Sequence, residues 1–398
     1  MTMKLPTPTR LPEAETRWSE IVHLITRGLY STGEARKRAA LRLVPLTSWG
    51  LLTNPERNSL AQALWHADYA RADTLPVGTL LYDWVFLLLP EPESGLAEQR
   101  FRKKWLGPQE SNSEKDLSEL FKQLGNAFTN LEAHHRPLSL TADERTRLAT
   151  MVDRWIALPV TSNNNPWNKS STPQAIAGLQ PILLKIDLSS SAAEALFAKV
   201  IALNQTSAPG FRLFNSLTKF LPNRLADIAM SMRMGLASDN VEQTEEAVLG
   251  LYGWLRTASK EPPPISMPPD DLLREIGVII ATRRRGVLNR ALQVARWIFS
   301  SGTTAQHNNI AQLTLHGLRY LIEELRYDRE HDQDNDMDVP LLRWDCARLA
   351  LAMLAAGYKT DPTVARWAEI AQDDPLPEVR HAEGSSVIYT HYEILGDE

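Results

Sequence analysis

The stretch "DDPLPEVRHAEG", residues 373–384, raises the question that decides the fold of this chain. It follows a short helical segment at 361–372, and Asp374 stands directly before Pro375. Aspartate satisfies free backbone amides at a helix start, and proline presets the backbone angle of the first turn. The stretch therefore predicts a tight turn between two helices, either an ordinary helix start or the turn of a stacked helical repeat.

The composition is that of a folded protein with several domains or one elongated array. The chain has 398 residues, 43% hydrophobic and 23% charged, with a formal net charge of −5, so no global basic field would attract nucleic acid or a membrane. A single cysteine, Cys346, excludes an intramolecular disulfide framework and fits a reducing cytoplasm. The start "MTMKLPTPTR" lacks an apolar core and no long apolar run follows, so we expect neither a secretory signal nor a transmembrane helix.

Helical periodicity extends through almost the whole chain. Trp18, Ile21, Ile25 and Leu29 share one face at spacings of three and four residues. A Thr141 cap with Glu three residues later predicts a capping box. Further helices are predicted at 141–158, 190–204, 211–235, 240–258, 270–300, 303–326, 341–356 and 361–372. The fold class is therefore predicted to be all-α, and the one strand candidate, 385–395, is either a short β segment or a C-terminal tail.

Breaks in this periodicity predict how the chain is divided. Residues 159–174 are rich in Asn, Ser and Pro, and residues 259–271 are rich in proline. We expect five segments: an N-terminal helical array at 1–158, a polar linker or long loop at 159–174, a middle helical segment at 175–258, a Pro-rich connection at 259–271 and a C-terminal segment at 272–398.

Tryptophan is unusually abundant, with eleven residues spread along the chain. Together with Leu and Ala at helical spacing, they predict packing between helices, because burying large rings is the common use of tryptophan. The alternative is a stacking surface for carbohydrate or nucleotide.

The opening stretch resembles the turn and second-helix start of HEAT repeats. In that family the aspartate caps the next helix, the proline fixes the turn, the valine packs inward and the arginine pairs with acidic groups of neighbouring repeats. The matching positions here are Asp374, Pro375, Val379 and Arg380. The resemblance implies a HEAT/ARM-like α-α superhelix of antiparallel helix pairs, with 272–398 as its HEAT-like segment.

A second resemblance concerns context. Residues 41–65 and 80–106 look like helical C-terminal regions of large bacterial defence proteins that carry sirtuin-like or nucleotide-hydrolysing effector domains. No glycine-rich phosphate loop or sirtuin-like pocket accompanies them here. The resemblance implies the recognition or scaffold part of such a system, either as a separate subunit or as a fragment.

Motifs for chemistry are missing from the sequence. It has no Gly-x-Ser-x-Gly elbow and no His-Glu-x-x-His helix, so we expect no catalytic, cofactor or metal site. The acidic run from Asp332 to Asp338 is predicted to be a solvated loop, with adventitious divalent binding as the alternative. Cys346, on an Ala-rich helix, is predicted to be buried and inert.

Two basic patches are candidate binding surfaces. One predicted helix, 281–297, carries an arginine run, and a second helix, 98–106, carries another group of basic residues. The residues concerned are Arg283, Arg284, Arg285, Arg290, Arg102 and Lys103. Arginine binds phosphate through its planar fork, so these patches either bind phosphate or acidic protein, or form solvated faces and salt bridges between helices.

The sequence thus predicts a non-catalytic scaffold or sensor that binds a protein partner. The second resemblance implies a role in bacterial antiphage defence, with an effector subunit as a candidate partner. The alternative is a nucleic-acid-binding protein or enzyme that uses the arginine-rich helix faces.

Overall fold

Helices account for all the regular structure in the described part of the chain. The computed structural model describes residues 93–108, 113–133, 136–160, 172–206, 209–260, 263–325 and 338–374, and the single positions 27, 55, 59, 62, 63, 84, 87 and 379. These residues form thirteen α-helices and no strand. The all-α prediction is therefore confirmed. The candidate strand at 385–395, Pro375, Arg380 and residues 161–171 of the predicted linker lie outside the described residues.

The described residues divide between Leu196 and Phe197 into two compact units. Unit N holds α1 to α4 and the first half of α5: α1 is Glu93–Phe101, α2 Glu114–Ala133, α3 Ala142–Ala157, α4 Thr172–Leu183 and α5 Ser190–Leu203. Unit C follows with α6 Phe214–Phe220, α7 Leu225–Leu236, α8 Val241–Ala258, α9 Asp270–Ala281, α10 Leu288–Ser301, α11 Thr304–Glu324, α12 Asp338–Ala355 and α13 Pro362–Asp373. The predicted segment boundaries stay predictions.

In unit N, two glycines allow helices α2 and α4 to cross at close range. A Cβ on Gly178 would lie 2.1 Å from the carbonyl oxygen of Phe121, and one on Gly125 would lie 2.5 Å from the Gly178 backbone. Phe121 and Leu179 are fully buried beside this crossing. Helix α3 begins with the predicted capping box at Thr141, which is confirmed: its side chain accepts the backbone N–H of Glu144.

Unit C contains two layers of helices. In the first layer α7 contacts α9, α9 contacts α11, and α11 contacts α13; in the second, α8 contacts α10 and α10 contacts α12. Helices α9 and α11 run parallel, because Gly277 meets Leu313 and Ile280 meets Gly317 farther along the same two helices. The consecutive helices α7 and α8 are joined by a short connection. They pack against each other and so bring the first layer into contact with the second.

Two long helices predicted from periodicity are each divided. The prediction of a single helix at 211–235 is wrong: Pro222 opens a short 3-10 turn that separates α6 from α7. Proline lacks the amide that a helix interior needs, so the chain bends at this place. The prediction of one helix at 270–300 is also wrong, because α9 ends at Ala281 and α10 begins at Leu288.

The tryptophans that the structure describes support the core prediction. Trp84, Trp155, Trp254 and Trp367 are almost fully buried. The indole of Trp367 donates to the Leu318 carbonyl at 2.9 Å, so its one polar atom is satisfied inside the core. In this part of the chain, tryptophan fills space between helices.

The HEAT-like stretch takes part in a buried contact at the end of unit C. Val379 is fully buried in a cluster with Leu341, Trp344, Ala347 and Ala371, and its role in a repeat stays a prediction. Residues 375–378 lie outside the described residues, and so does the helix cap expected of the preceding aspartate.

The carboxylate of Asp374 has a different partner in the described residues. It forms an ion pair with Arg343 of α12, with 0% and 7% of the two side chains exposed. Arg343 also donates to the Leu325 carbonyl, so one guanidinium joins the end of α11 to the residue after α13. This arginine therefore links three successive helices.

We expect Asp374→Ala to lower the free energy of unfolding by about 3 kcal/mol, because it leaves a buried guanidinium without its counter-charge. Glu369→Ala breaks the exposed pair with Arg366, in which both side chains are more than half exposed, and should change stability very little. Urea unfolding of both variants measures the difference. Equal effects would contradict the structural role of the buried pair.

We expect Gly317→Ala to lower the free energy of unfolding by about 2 kcal/mol, although alanine favours helix more than glycine does. The added Cβ would lie 2.3 Å from the Ile280 carbonyl oxygen, so α9 and α11 must move apart. Gln312→Ala, at an exposed position of α11, is the control and should be nearly neutral. A neutral or stabilising Gly317→Ala would contradict this close helix contact.

Candidate functional site

The arginine run predicted to lie on one helix instead forms the turn between α9 and α10. Arg283 and Gly286 both have positive φ angles, 52° and 83°, which end the helix at this place. A left-handed backbone costs an L-residue about 1–2 kcal/mol, so Arg283 must be held by other contacts. The placement of Arg283, Arg284 and Arg285 on a helix face with Arg290 is therefore wrong.

The first two arginines of this turn reach toward different neighbouring helices. Arg283 forms an ion pair with Glu324 of α11 at 2.6 Å and lies 4.7 Å from the ring centre of Tyr320. Arg284 donates to the backbone carbonyls of Leu236 and Ser238 at the end of α7. A guanidinium is favourable there, because the carboxyl end of a helix carries partial negative charge. The turn thus connects α9 to both of its neighbours in the layer.

Two other predicted binding residues also form contacts within the chain. Arg290 of α10 lies 3.4 Å from Glu245 of α8. Arg102, in the π-helical turn after α1, donates to both carboxylate oxygens of Glu144 at 2.8 and 2.7 Å and to Glu98 at 2.7 Å. Burial raises the pKa of Glu144, but the hydrogen bonds from Arg102 and Thr141 outweigh it, so the pKa lies below its ordinary value. These arginines hold helices together.

Only Arg285 and Lys103 of the predicted set are classed as exposed in the structure. Lys103 belongs to unit N and Arg285 to unit C. Salt bridges between helices were one of the two interpretations of the basic patches, and Arg283, Arg290 and Arg102 take that role.

A different group of basic residues lies in the second layer of unit C, between α10 and α12. We call Gln293, Arg296, Trp344, Asp345 and Arg348 the α10–α12 arginine cluster. The side-chain amide of Gln293 donates to Asp345 at 3.3 Å, and Asp345 is only 2% exposed. Arg348 stacks over the Trp344 ring with its guanidinium carbon 4.4 Å from the ring centre. The buried Nε of Arg296 has no hydrogen-bond partner in the described part of the chain.

Burial dominates the electrostatics of this cluster. It raises the pKa of Asp345 to about 7, although the Gln293 hydrogen bond and the positive charges of Arg296, Arg348 and Arg290 act in the opposite direction. Burial, together with repulsion from Arg296, lowers the pKa of Arg348 to about 10. The pKa of Arg296 is also lowered, and burial is the largest cause. The cluster therefore holds excess positive charge in a poorly solvated place.

The sequence analysis covered Arg296 only as part of the predicted basic helix 281–297, and it missed Arg348 and Asp345. The spacing of Trp344 and Arg348, four residues apart on a helix, is visible in the sequence and places the two side chains on one face. The pairing of that face with α10 depends on the tertiary packing, which no local pattern indicates.

Exposed apolar side chains mark the first layer of unit C. Met230 and Met234 of α7 are 64% and 68% exposed, and they lie one turn apart on the same face. Val278 of α9 and Tyr320 of α11 are 36% and 49% exposed. We call these four side chains the exposed apolar face of unit C.

The remaining reactive side chains have local roles in the described residues. A ring nitrogen of His307 lies 3.0 Å from the Ile298 carbonyl oxygen, and the ring packs against Phe299. Cys346 is buried, as predicted, and burial raises the pKa of its thiol. The described residues contain no group of three or more His, Cys, Asp or Glu side chains that could hold a metal ion. None of the described helices is long and apolar enough to cross a membrane.

Comparison with known proteins returned no relative. No family model matches the chain, and no curated protein or solved structure does so either.

We expect Asp345→Asn to change how stability depends on pH. The pKa of Asp345 is about 7 when folded and about 4 when unfolded, so the folded protein holds this proton more tightly and loses stability as pH rises from about 4 to about 7. The asparagine variant lacks this loss. The free energy of unfolding of the variant minus that of the parent should therefore be about 1–3 kcal/mol larger at pH 8 than at pH 5. Urea unfolding at both values measures it, with Glu369→Gln as the exposed control. A stability difference between variant and parent that is independent of pH would contradict the assignment.

Proposed function

We propose that this chain is a non-catalytic, HEAT-like helical-repeat scaffold or sensor that binds a protein partner in the cytoplasm. The packing of unit C supports it: contacts between neighbours within a layer recur at similar sequence separations. Hydrogen bonds between such neighbours, or between the turns that end them, join residues 48, 45, 52, 39 and 49 positions apart. HEAT-type helix pairs have repeats of about 40–47 residues, and stacked repeats contact mainly their neighbours.

The exposed apolar face is the part of unit C that best suits a protein partner. Met230 and Met234 can bury large, flexible side chains, and exposed apolar groups in one face commonly mark interaction sites. The nearby ion pair between Arg233 and Asp271 adds charge of both signs at the rim of this face. A mixture of apolar anchors and paired charges favours protein over a phosphate backbone.

Nucleic-acid binding is the alternative, and the contacts of the predicted arginines weigh against it. Arg283, Arg284, Arg290 and Arg102 already donate to carboxylates or helix ends within the chain. Phosphate contacts would have to replace those interactions, and the net charge of −5 gives no long-range attraction. The role in bacterial antiphage defence follows from the resemblance of residues 41–65 and 80–106 and is part of the same proposal.

An affinity pull-down from the native host, with and without nuclease, tests the proposal. We expect one stoichiometric protein to survive nuclease and to be lost from the double variant Met230→Glu/Met234→Glu, because a charge cannot be buried in an apolar contact. Gln312→Glu, another exposed position in the first layer, is the control and should retain the partner.

Co-purification of nucleic acid alone, removed by charge reversal of Arg283 to Arg285, would contradict the scaffold proposal. Retention of the partner by the double methionine variant would leave the scaffold in place and move its contact surface elsewhere.

A further inference from the structure

The α10–α12 arginine cluster contains two charged groups that the fold itself does not neutralise. In the part of the chain that the structure describes, the guanidiniums of Arg296 and Arg348 form no hydrogen bond and no ion pair. Both side chains are partly buried. Burying an unpaired charge costs several kcal/mol, and buried charges in proteins are normally paired or bound to a ligand. Arg102, Arg283, Arg284, Arg290 and Arg343, by contrast, each have such a partner.

Asp345 does not fill the role of that partner. Its carboxylate accepts a hydrogen bond from Gln293, and no arginine lies within ion-pair distance of it in the described residues. Arg290, the third arginine nearby, is paired with Glu245. Two positive charges therefore face a single buried carboxyl group, and burial disfavours the charged form of that group. The cluster lacks negative charge.

The two arginines lie beside the same contact between helices α10 and α12. Helices α10 and α12 are joined at Gln293 and Asp345, and Arg296 and Arg348 each lie three residues farther along their own helix. Three residues are nearly one turn, so both arginines continue the same seam between two neighbouring helices. The lowered pKa of Arg348, due to burial and then to Arg296, is consistent with this proximity.

Trp344 prepares one of these guanidiniums for binding. Its ring supports the face of Arg348 at 4.4 Å, which leaves the N–H edges of the guanidinium available in the ring plane. A stacked arginine loses less conformational freedom on forming two parallel hydrogen bonds, which is the geometry that carboxylate and phosphate require.

We propose that Arg296 and Arg348, with Trp344 beneath Arg348, form a binding site for an oxyanion at the seam between α10 and α12. The ligand is a carboxylate or phosphate group, since both present two oxygens to a planar guanidinium. A carboxylate would come from an acidic side chain of the partner protein, and that source rests on the function proposed above. A free phosphate would bind without any partner.

Titration with inorganic phosphate and, separately, with acetate tests the site, at constant ionic strength kept with sodium chloride. The readouts are the melting temperature and the tryptophan fluorescence. We expect both oxyanions to raise the melting temperature and to change the fluorescence, because an anion bound to Arg348 changes the charge next to the Trp344 ring. Trp344→Phe should remove most of the fluorescence response. If neither anion changes the melting temperature or the fluorescence relative to a chloride control of the same ionic strength, the proposal is overturned.

The variant Arg296→Met separates a binding role from a structural one. Methionine keeps the apolar stem and removes the unpaired charge, so without anion we expect a higher melting temperature than that of the parent. The same variant should lose at least tenfold in phosphate affinity. Arg274→Met, an exposed arginine of α9, is the matched control and should leave both quantities unchanged.

A structural arginine would give the opposite result: a lower melting temperature and unaltered phosphate affinity in Arg296→Met would overturn the proposal. Arg348→Lys provides a second variant if Arg296→Met does not fold. Lysine keeps the charge but lacks the planar fork, so we expect weaker phosphate binding and no fluorescence response.

A short glutamate-containing peptide distinguishes the two ligand sources. Displacement of phosphate by the peptide, combined with loss of the pulled-down partner from Arg296→Met, assigns the site to a partner carboxylate. Phosphate binding that the peptide does not displace assigns it to a free phosphate group. The phosphate titration needs no partner, so its failure is distinguishable from failure of the scaffold proposal.

Discussion

The close contact between parallel neighbours in the first layer is the constraint on which unit C depends. Helix α11 approaches α9 so closely that Gly317 lies against the Ile280 backbone, where any side chain would collide. At this distance the apolar faces of both helices are buried, and the turn after α9 is placed where Arg283 reaches Glu324. The arginine contacts follow from that packing, because a long side chain can bridge helix ends only when the helices are already close.

Arginine serves two purposes in this unit, and its contacts distinguish them. Arg283, Arg284 and Arg343 join neighbouring helices through carboxylates or carbonyl groups. Arg296 and Arg348 are partly buried and have no such partner among the residues that the structure describes. A count of basic residues in a sequence treats both kinds alike. The arginine run at 283–285 mainly connects helices, whereas Arg296 and Arg348, which no run of basic residues marks, carry the charges without a partner in the described residues.

The sequence was informative where physical causes are local. The capping box at Thr141 and the helices from 240–258 and 361–372 follow from caps, periodicity and proline, and the structure confirms them within a few residues. The helix breaks at Pro222 and Gly286 were also local signals, but the surrounding helical pattern outweighed them in the prediction. The pairing of Gln293 with Asp345 could not be predicted, since it joins residues 52 positions apart through tertiary packing.

The recurrence of contacts at 39 to 52 residues also bears on how unit C folds and opens. Because each described helix depends mainly on the next one or two along the chain, native structure can grow from one helix pair to its neighbour without long loop closures. The same arrangement lets an end of the unit open while the middle stays folded. Helix α13 packs on α11 and α12, and the ion pair of Asp374 with Arg343 stabilises that end of the unit against opening.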